Sequence, residues 1–160
     1  MRTPDGKIRL VPEAFPPDLP RLEHWLDIPP DDTLRLIGRR HIRSNNSWMH
    51  NIHSLVKGPD RAQLQMHPED AARLGLKSGD RVRIRSRTGV ITARLMVTED
   101  VMPGVVSLPH GYGHAQAAET LRIAGALEGA SVNEITDEEW IEPVLGTSIL
   151  NGVVVRVERK

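Results

Sequence analysis

The sequence predicts a mainly β fold, a small closed barrel of about six short strands. Apolar and polar side chains alternate with a period of two along several segments, most clearly in residues 81–87 and 90–98. Only residues 67–76 carry helix signals at both ends. With 160 residues and a 39% hydrophobic fraction, the chain can bury one core, and many short strands around one core favour a barrel over a helical bundle.

Residues 1–32 hold seven of the twelve prolines, including Pro16-Pro17 and Pro29-Pro30. Proline removes backbone donors and fixes φ, so this stretch reads as an arm or linker, with at most one or two helical turns over residues 19–26. Residues 33–160 read as the barrel. The first strand is Leu34-Arg35-Leu36-Ile37, and residues 62–66 alternate as a second. Residues 67–76 form a short helix, with Pro68 at the first position, Glu69 and Asp70 at the positive end of the dipole and Gly75 at the exit. Residues 77–80 turn the chain into strand 81–87, with Arg81, Arg83, Arg85 and Arg87 on one face and Val82, Ile84 and Ser86 on the other. Thr88-Gly89 leads into strand 90–98, and the arginine row reads as the solvated side of this hairpin. Strand 105–108 follows, then a short extended piece over residues 130–137, and a turn at residues 146–152 before the last strand, 153–157.

Residues 38–51 stand apart. These fourteen residues hold three arginines, two histidines, three asparagines and two serines around Trp48. Asn and Ser both donate and accept, Arg grips anions in a planar fork, and Trp offers a flat apolar face. The set suits a large, heterocyclic, phosphorylated ligand; the plainer reading is a polar surface loop. Residues 109–114 and 131–137 are also polar and start near strand ends, as loops around a barrel mouth do.

Composition excludes several classes. Lys plus Arg and Asp plus Glu both number 21, so net charge offers no case for nucleic-acid binding. No cysteine is present, which removes disulfides, thiolate ligands and iron–sulfur clusters. No run reaches the length of a membrane span and the N-terminus has no apolar signal core, so a cytoplasmic location is expected. His110 and His114 are four apart, but Gly111 and Gly113 break any helix between them, and no metal site is expected. Ser44, Ser47 and Ser107 lack a nucleophile-elbow context, and no phosphate-loop motif occurs, so no catalytic residue is assigned.

The run Ser44-Asn45-Asn46-Ser47-Trp48-Met49-His50-Asn51, the segment from Met66-His67-Pro68-Glu69-Asp70-Ala71 to Gly79-Asp80, and Val101-Met102-Pro103-Gly104-Val105-Val106 fall in a specific order. Gly129-Ala130-Ser131-Val132-Asn133 and Gly146-Thr147-Ser148-Ile149-Leu150-Asn151-Gly152 continue it. In this the chain resembles the C-terminal molybdopterin-dinucleotide-binding domain of the dimethyl-sulfoxide-reductase family of molybdenum and tungsten oxidoreductases, formate dehydrogenase and nitrate reductase types included. The resemblance implies a six-stranded double-psi β-barrel with one or two short helices. It implies a molybdopterin guanine dinucleotide held by Arg39, Arg43, Asn45, Asn46, Ser47 and Trp48, with His110, Gly111 and His114 near the pterin and Asn133 at a ring edge. It also implies that the metal is held elsewhere, by the remaining domains of a parent oxidoreductase, and that this chain alone is inactive; no nucleic-acid or membrane partner is expected. Two rivals come from other classes. One is a protein-interaction barrel of the kind found at the N-terminus of AAA ATPases, which has no need of the 38–51 loop. The other is a single-strand nucleic-acid binder using the arginine row, weakened by the scarcity of stacking aromatics.

Overall fold

The computed structural model describes residues 3–8, 10–28, 31–115 and 118–160; the Pro29-Pro30 pair lies outside them. Six strands form, where alternation predicts them: β1 (Leu34–Arg39), β2 (Leu64–Met66), β3 (Arg81–Arg85), β4 (Val90–Val97), β5 (Val105–Pro109) and β6 (Val153–Arg159). They close into a barrel in the order β1-β5-β2-β4-β3-β6, with β6 returning to β1. Two pairs are parallel, β1 with β5 and β2 with β4; the other four are antiparallel. Inward side chains fill the interior, among them Leu36, Leu64, Ile84, Leu95 and Val106, each no more than 1% exposed. Leaving water and losing the voids between them is what drives closure.

The parallel pairing of β1 and β5 positions the functional end. Both strands leave the barrel at the same rim, in register from Arg35↔Val105 to Arg39↔Pro109. The loops that follow them, residues 40–52 and 110–115, are therefore neighbours. This pairing also draws Gly38 and Arg39, expected in the loop, into β1. β6 starts at the same rim, where the Asn151 Oδ1 accepts the Gly38 N–H at 2.7 Å.

Among the described residues, four short α-helices decorate the barrel: α1 (Leu19–Leu26), α2 (His53–Val56), α3 (Pro68–Arg73) and α4 (Arg122–Gly125). α3 is the expected helix, its start capped by the His67 Nδ1, which accepts the Glu69 N–H at 3.3 Å. α2 and α4, one turn each, carry no sequence signal strong enough to predict. Residues 130–137 are not extended as expected. Val132–Ile135 is a 3-10 turn, because both apolar side chains, three apart, turn onto the core beside β4. Arg87 also departs from its expected place: β3 stops at Arg85, and Arg87 reaches from the turn to Asp137 at 2.6 Å. In the arm, α1 and the preceding turn Pro16–Asp18 contain no buried residue. Phe15, Leu19 and Leu22 border a shallow cavity with Val144 and Leu145, and Arg21 lies 3.8 Å from Glu142.

Candidate functional site

Residues 40–52 wind as successive turns, not as an open loop. The N–H groups of Ser44, His50 and Ile52 reach the carbonyls of His41, Ser47 and Met49 at 3.0, 3.0 and 3.1 Å. Asn45 and Asn46 sit at φ 42° and 62°, the left-handed region that Asn tolerates better than other side-chain-bearing residues. This curl presses the loop against its neighbour. A Cβ on Gly111, at φ 94°, would stand 2.1 Å from the Asn46 carbonyl oxygen, so only glycine fits there. Gly113 meets the Ser131 backbone in the same way, at 2.7 Å. Three polar segments separated in sequence thus touch.

A buried histidine pins them together. His50 is 1% exposed. Its Nε2 lies 2.9 Å from the Ser44 Oγ and its Nδ1 3.1 Å from the His114 Nε2, while the Tyr112 ring packs on it with centroids 4.4 Å apart. Burial, and then the neighbouring His114, hold the His50 pKa below its ordinary value, so at neutral pH it is an uncharged ring that can donate on one side and accept on the other. Burial raises the Tyr112 hydroxyl, which also bonds Ser44. The Asn51 Oδ1 accepts the N–H groups of Ile123 and Ala124 at 3.0 and 3.2 Å, tying the loop to the start of α4.

Beside this network lies a cleft of about 300 Å³ lined by Arg43, Ser44, His50, Arg61, Arg94 and Tyr112, with Leu55 and Val56 as apolar wall. Arg43 makes no side-chain contact with a carboxylate among the described residues. Trp48 is 79% exposed on the outside of the loop, and Asn46 bonds Arg40 through its Oδ1. Such a cleft offers cationic donors and an aromatic ring within one wall; the Asp60 and Glu128 carboxylates also line it, Glu128 paired with Arg94 at 3.3 Å.

The expected residues do not all share it. Arg43, Asn45, Asn46, Ser47, Trp48, Gly111 and His114 belong to the joined loops, and His110 starts the second loop with its N–H on the Arg39 carbonyl at 2.9 Å. Arg39 itself turns onto the barrel: its guanidinium donates to the Gln65 Oε1 at 2.6 Å, the Gln63 carbonyl at 2.9 Å and the Ser107 carbonyl at 3.1 Å. Asn133 lines a separate cleft with Arg87, Thr88 and Thr136. Sequence reasoning missed His50, Ser44 and Tyr112 as a unit. His50 and His114 are 64 positions apart, and the four-residue spacing of His110 and His114 drew attention to the wrong pair.

The family model described as the molydopterin (molybdopterin) dinucleotide binding domain matches residues 34–154. The trimethylamine-N-oxide reductase of Haemophilus influenzae is 32% identical over 102 residues, 62% of this chain and 12% of that protein. The molybdopterin-containing ArrA chain of the arsenate respiratory reductase of Chrysiogenes arsenatis is 30% identical over 114 residues, 68% of this chain and 13% of that protein. The alpha chain of the F420-dependent formate dehydrogenase 2 of Methanococcus maripaludis is 32% identical over 106 residues, 66% and 13%. The chain therefore spans between 12% and 13% of the length of these relatives. Among solved structures, acetylene hydratase from Pelobacter acetylenicus superposes with a TM-score of 0.61 at 18% identity, over 89% of this chain and 20% of that one, a likeness of fold. The barrel is a six-stranded double-psi β-barrel, and the family match favours the cofactor-binding domain over the AAA-type interaction module. By the extent of that match, the chain belongs to the molybdopterin dinucleotide binding domain family of molybdenum oxidoreductases.

Proposed function

We propose that this chain holds a molybdopterin guanine dinucleotide through the joined loops 38–51 and 109–114, and serves as the cofactor-binding domain of a larger molybdenum or tungsten oxidoreductase. The observation that carries the reading is the cleft beside His50. Three arginines and a tyrosine line it, and the two loops that build it are locked together by Gly111 and His50. Phosphates suit Arg43, Arg61 and Arg94. Pterin and guanine edges suit the Asn45, Asn46 and Ser47 side chains and the His110 and His114 rings, and Trp48 supplies a face for contact.

Arg39 acts here as a positioning residue that fixes the start of the loop, and Asn133 meets the ligand from the neighbouring cleft. The bound dinucleotide supplies the ligand group for the metal; this domain orients it. Residues 33–160 form the binding domain and residues 1–32 an arm laid along its surface. The other domains of the parent enzyme complete the enclosure, in keeping with the small share of each relative that this chain spans.

The test is cofactor content per folded protein, measured in the full-length parent enzyme by release of the pterin as a fluorescent oxidised derivative. Losing one charge-assisted hydrogen bond costs about 1.5–3 kcal/mol, roughly ten- to a hundredfold in affinity. Arg43→Ala and Ser47→Ala are expected to lower content, Arg43→Ala the more strongly. Glu99→Ala, in the exposed loop at the opposite end of the barrel, is expected to match the parent. Parental content in both loop variants would remove residues 38–51 from the binding site.

A further inference from the structure

The wall of the barrel formed by β4, β3 and β6 carries a charge pattern that extends beyond the cofactor cleft, with Arg94 at the border of the two. Arg81, Arg83 and Arg85 point outward from β3, Arg94 from β4 and Arg156 from β6. Strand register sets like charges face to face: Arg81 lies opposite Arg94, and Arg85 opposite Arg156. Directly opposed like charges disfavour strand pairing. Two of these arginines are answered, Arg83 by Glu158 at 3.2 Å and Arg94 by Glu128 at 3.3 Å. Arg81, Arg85 and Arg156 have no carboxylate within 4 Å among the described residues; Asp31, in the arm, faces Arg156 and Arg35 from further away.

Two positions before Arg156 on the same outward face of β6, Val154 is 40% exposed. It borders an open, mainly apolar cavity of about 430 Å³ lined by Trp140, Val153 and Ser86, with Arg87, Asp137 and Glu139 at its polar edge. The arginine row therefore ends in a hydrophobic recess. This arrangement favours a protein ligand over a nucleic acid: the recess suits an aliphatic side chain, and the strands of the row carry no aromatic ring for base stacking.

We propose that the β4–β3–β6 wall is a docking surface for a partner protein, which lays a carboxylate-rich segment along Arg81, Arg85 and Arg156 and seats an apolar side chain in the recess at Val154 and Trp140. The partner's carboxylates relieve the repulsion that the strand register builds in. Arg81, Arg85, Arg156, Val154 and Trp140 are not among the residues that line the cleft beside His50, so this proposal is tested apart from the cofactor reading.

Two measurements on the purified 160-residue chain test it. The first is fluorescence anisotropy with a fluorescein-labelled oligo-glutamate peptide ending in leucine. Binding is expected to weaken as salt rises. The double variant Arg85→Glu/Arg156→Glu should lose at least about tenfold in affinity, and Val154→Asp should abolish the advantage of the terminal leucine over a terminal glutamate. The second is thermal unfolding without peptide: Arg156→Glu turns a repulsive cross-strand pair into an attractive one and should raise Tm by up to about 4 °C. Absence of peptide binding by the parent chain, equal binding by the double variant, or tighter binding of a fluorescein-labelled oligothymidylate each overturns the proposal. So does an Arg156→Glu Tm no higher than the parent's, since the built-in repulsion would then be missing.

Discussion

At the loop rim, Arg39 donates to Gln65, Gln63 and Ser107, Arg61 to the carbonyls of Val56 and Lys57, and the buried His50 to or from Ser44 and His114. On the β4–β3–β6 wall, Arg85 and Arg156 face each other across paired strands with no such partner among the described residues. The two regions have similar residue types and opposite settings. At the rim, burial makes each unmade hydrogen bond costly, so polar groups are placed by the fold and hold it in one arrangement. On the wall, water satisfies the guanidinium groups and the fold leaves them where alternation puts them. Specific geometry comes from burial, and a charge pattern on an open face is shaped by what approaches it.

That contrast can be broken most forcefully at Gly111. Gly111→Ala sets a Cβ against the Asn46 carbonyl in a left-handed backbone, and a destabilisation on the order of 2–4 kcal/mol is expected, read from the midpoint of denaturant unfolding. A change under half a kilocalorie would mean that the two loops are not locked together. His50→Ala comes next, with about 1–3 kcal/mol expected from the void it leaves and from the buried Ser44 hydroxyl losing one of its two partners, Tyr112 remaining. The pH dependence has a definite sign. The folded-state pKa of His50 lies below its unfolded value, so the folded chain binds fewer protons; its contribution is complete above about pH 6.5 and is lost as pH falls through the folded pKa. His41, lowered by burial and then by Arg61, acts in the same direction. Unfolding midpoints measured across this range should therefore fall on acidification, and less steeply in His50→Gln than in the parent.

The smallest effect belongs to the exposed Arg87–Asp137 pair. The Arg87 hydrogen bonds hold the Asp137 carboxyl at about 2, below its ordinary 3.8. That contribution is present above the unfolded value and is lost only as pH falls from there towards 2, a window separate from the histidine one. Asp137→Asn should leave Tm at neutral pH nearly unchanged, as solvent-exposed ion pairs do. A drop as large as that of His50→Ala would show that the wall and its flanking turn hold the fold as the rim does.

The barrel was largely legible in the sequence because alternation is a local signal: Val82 and Ile84 point in, and Arg81, Arg83 and Arg85 point out, wherever the strand pairs. The helix at Pro68–Arg73 announced itself through Pro68 and its acidic first turn. Residues 130–137 misled because Val132 and Ile135 needed a three-residue spacing to reach the core, and two apolar residues are too few to separate that period from a strand. The site was legible in composition but not in wiring. The polar run 38–51 stood out, whereas the division of labour between Arg39, folded onto the barrel, and Arg43, lining the cleft, depends on where β2 and β5 pass. The His50–His114 contact depends on the parallel pairing of β1 and β5, which no short window of sequence contains.

The pairing of β6 with both β1 and β3 has a consequence for synthesis on the ribosome. Until Val153–Arg159 emerges, β1 and β3 each present an unpaired edge, and the rim lacks the Asn151 side chain that bonds Gly38. Five of the six strands can be made and remain an open sheet, exposed to any other strand seeking a partner. The barrel's sixth strand is the one that removes both edges. A nascent chain stalled before it is expected to be the aggregation-prone species, and chaperone occupancy should fall as soon as Val153–Arg159 clears the exit tunnel.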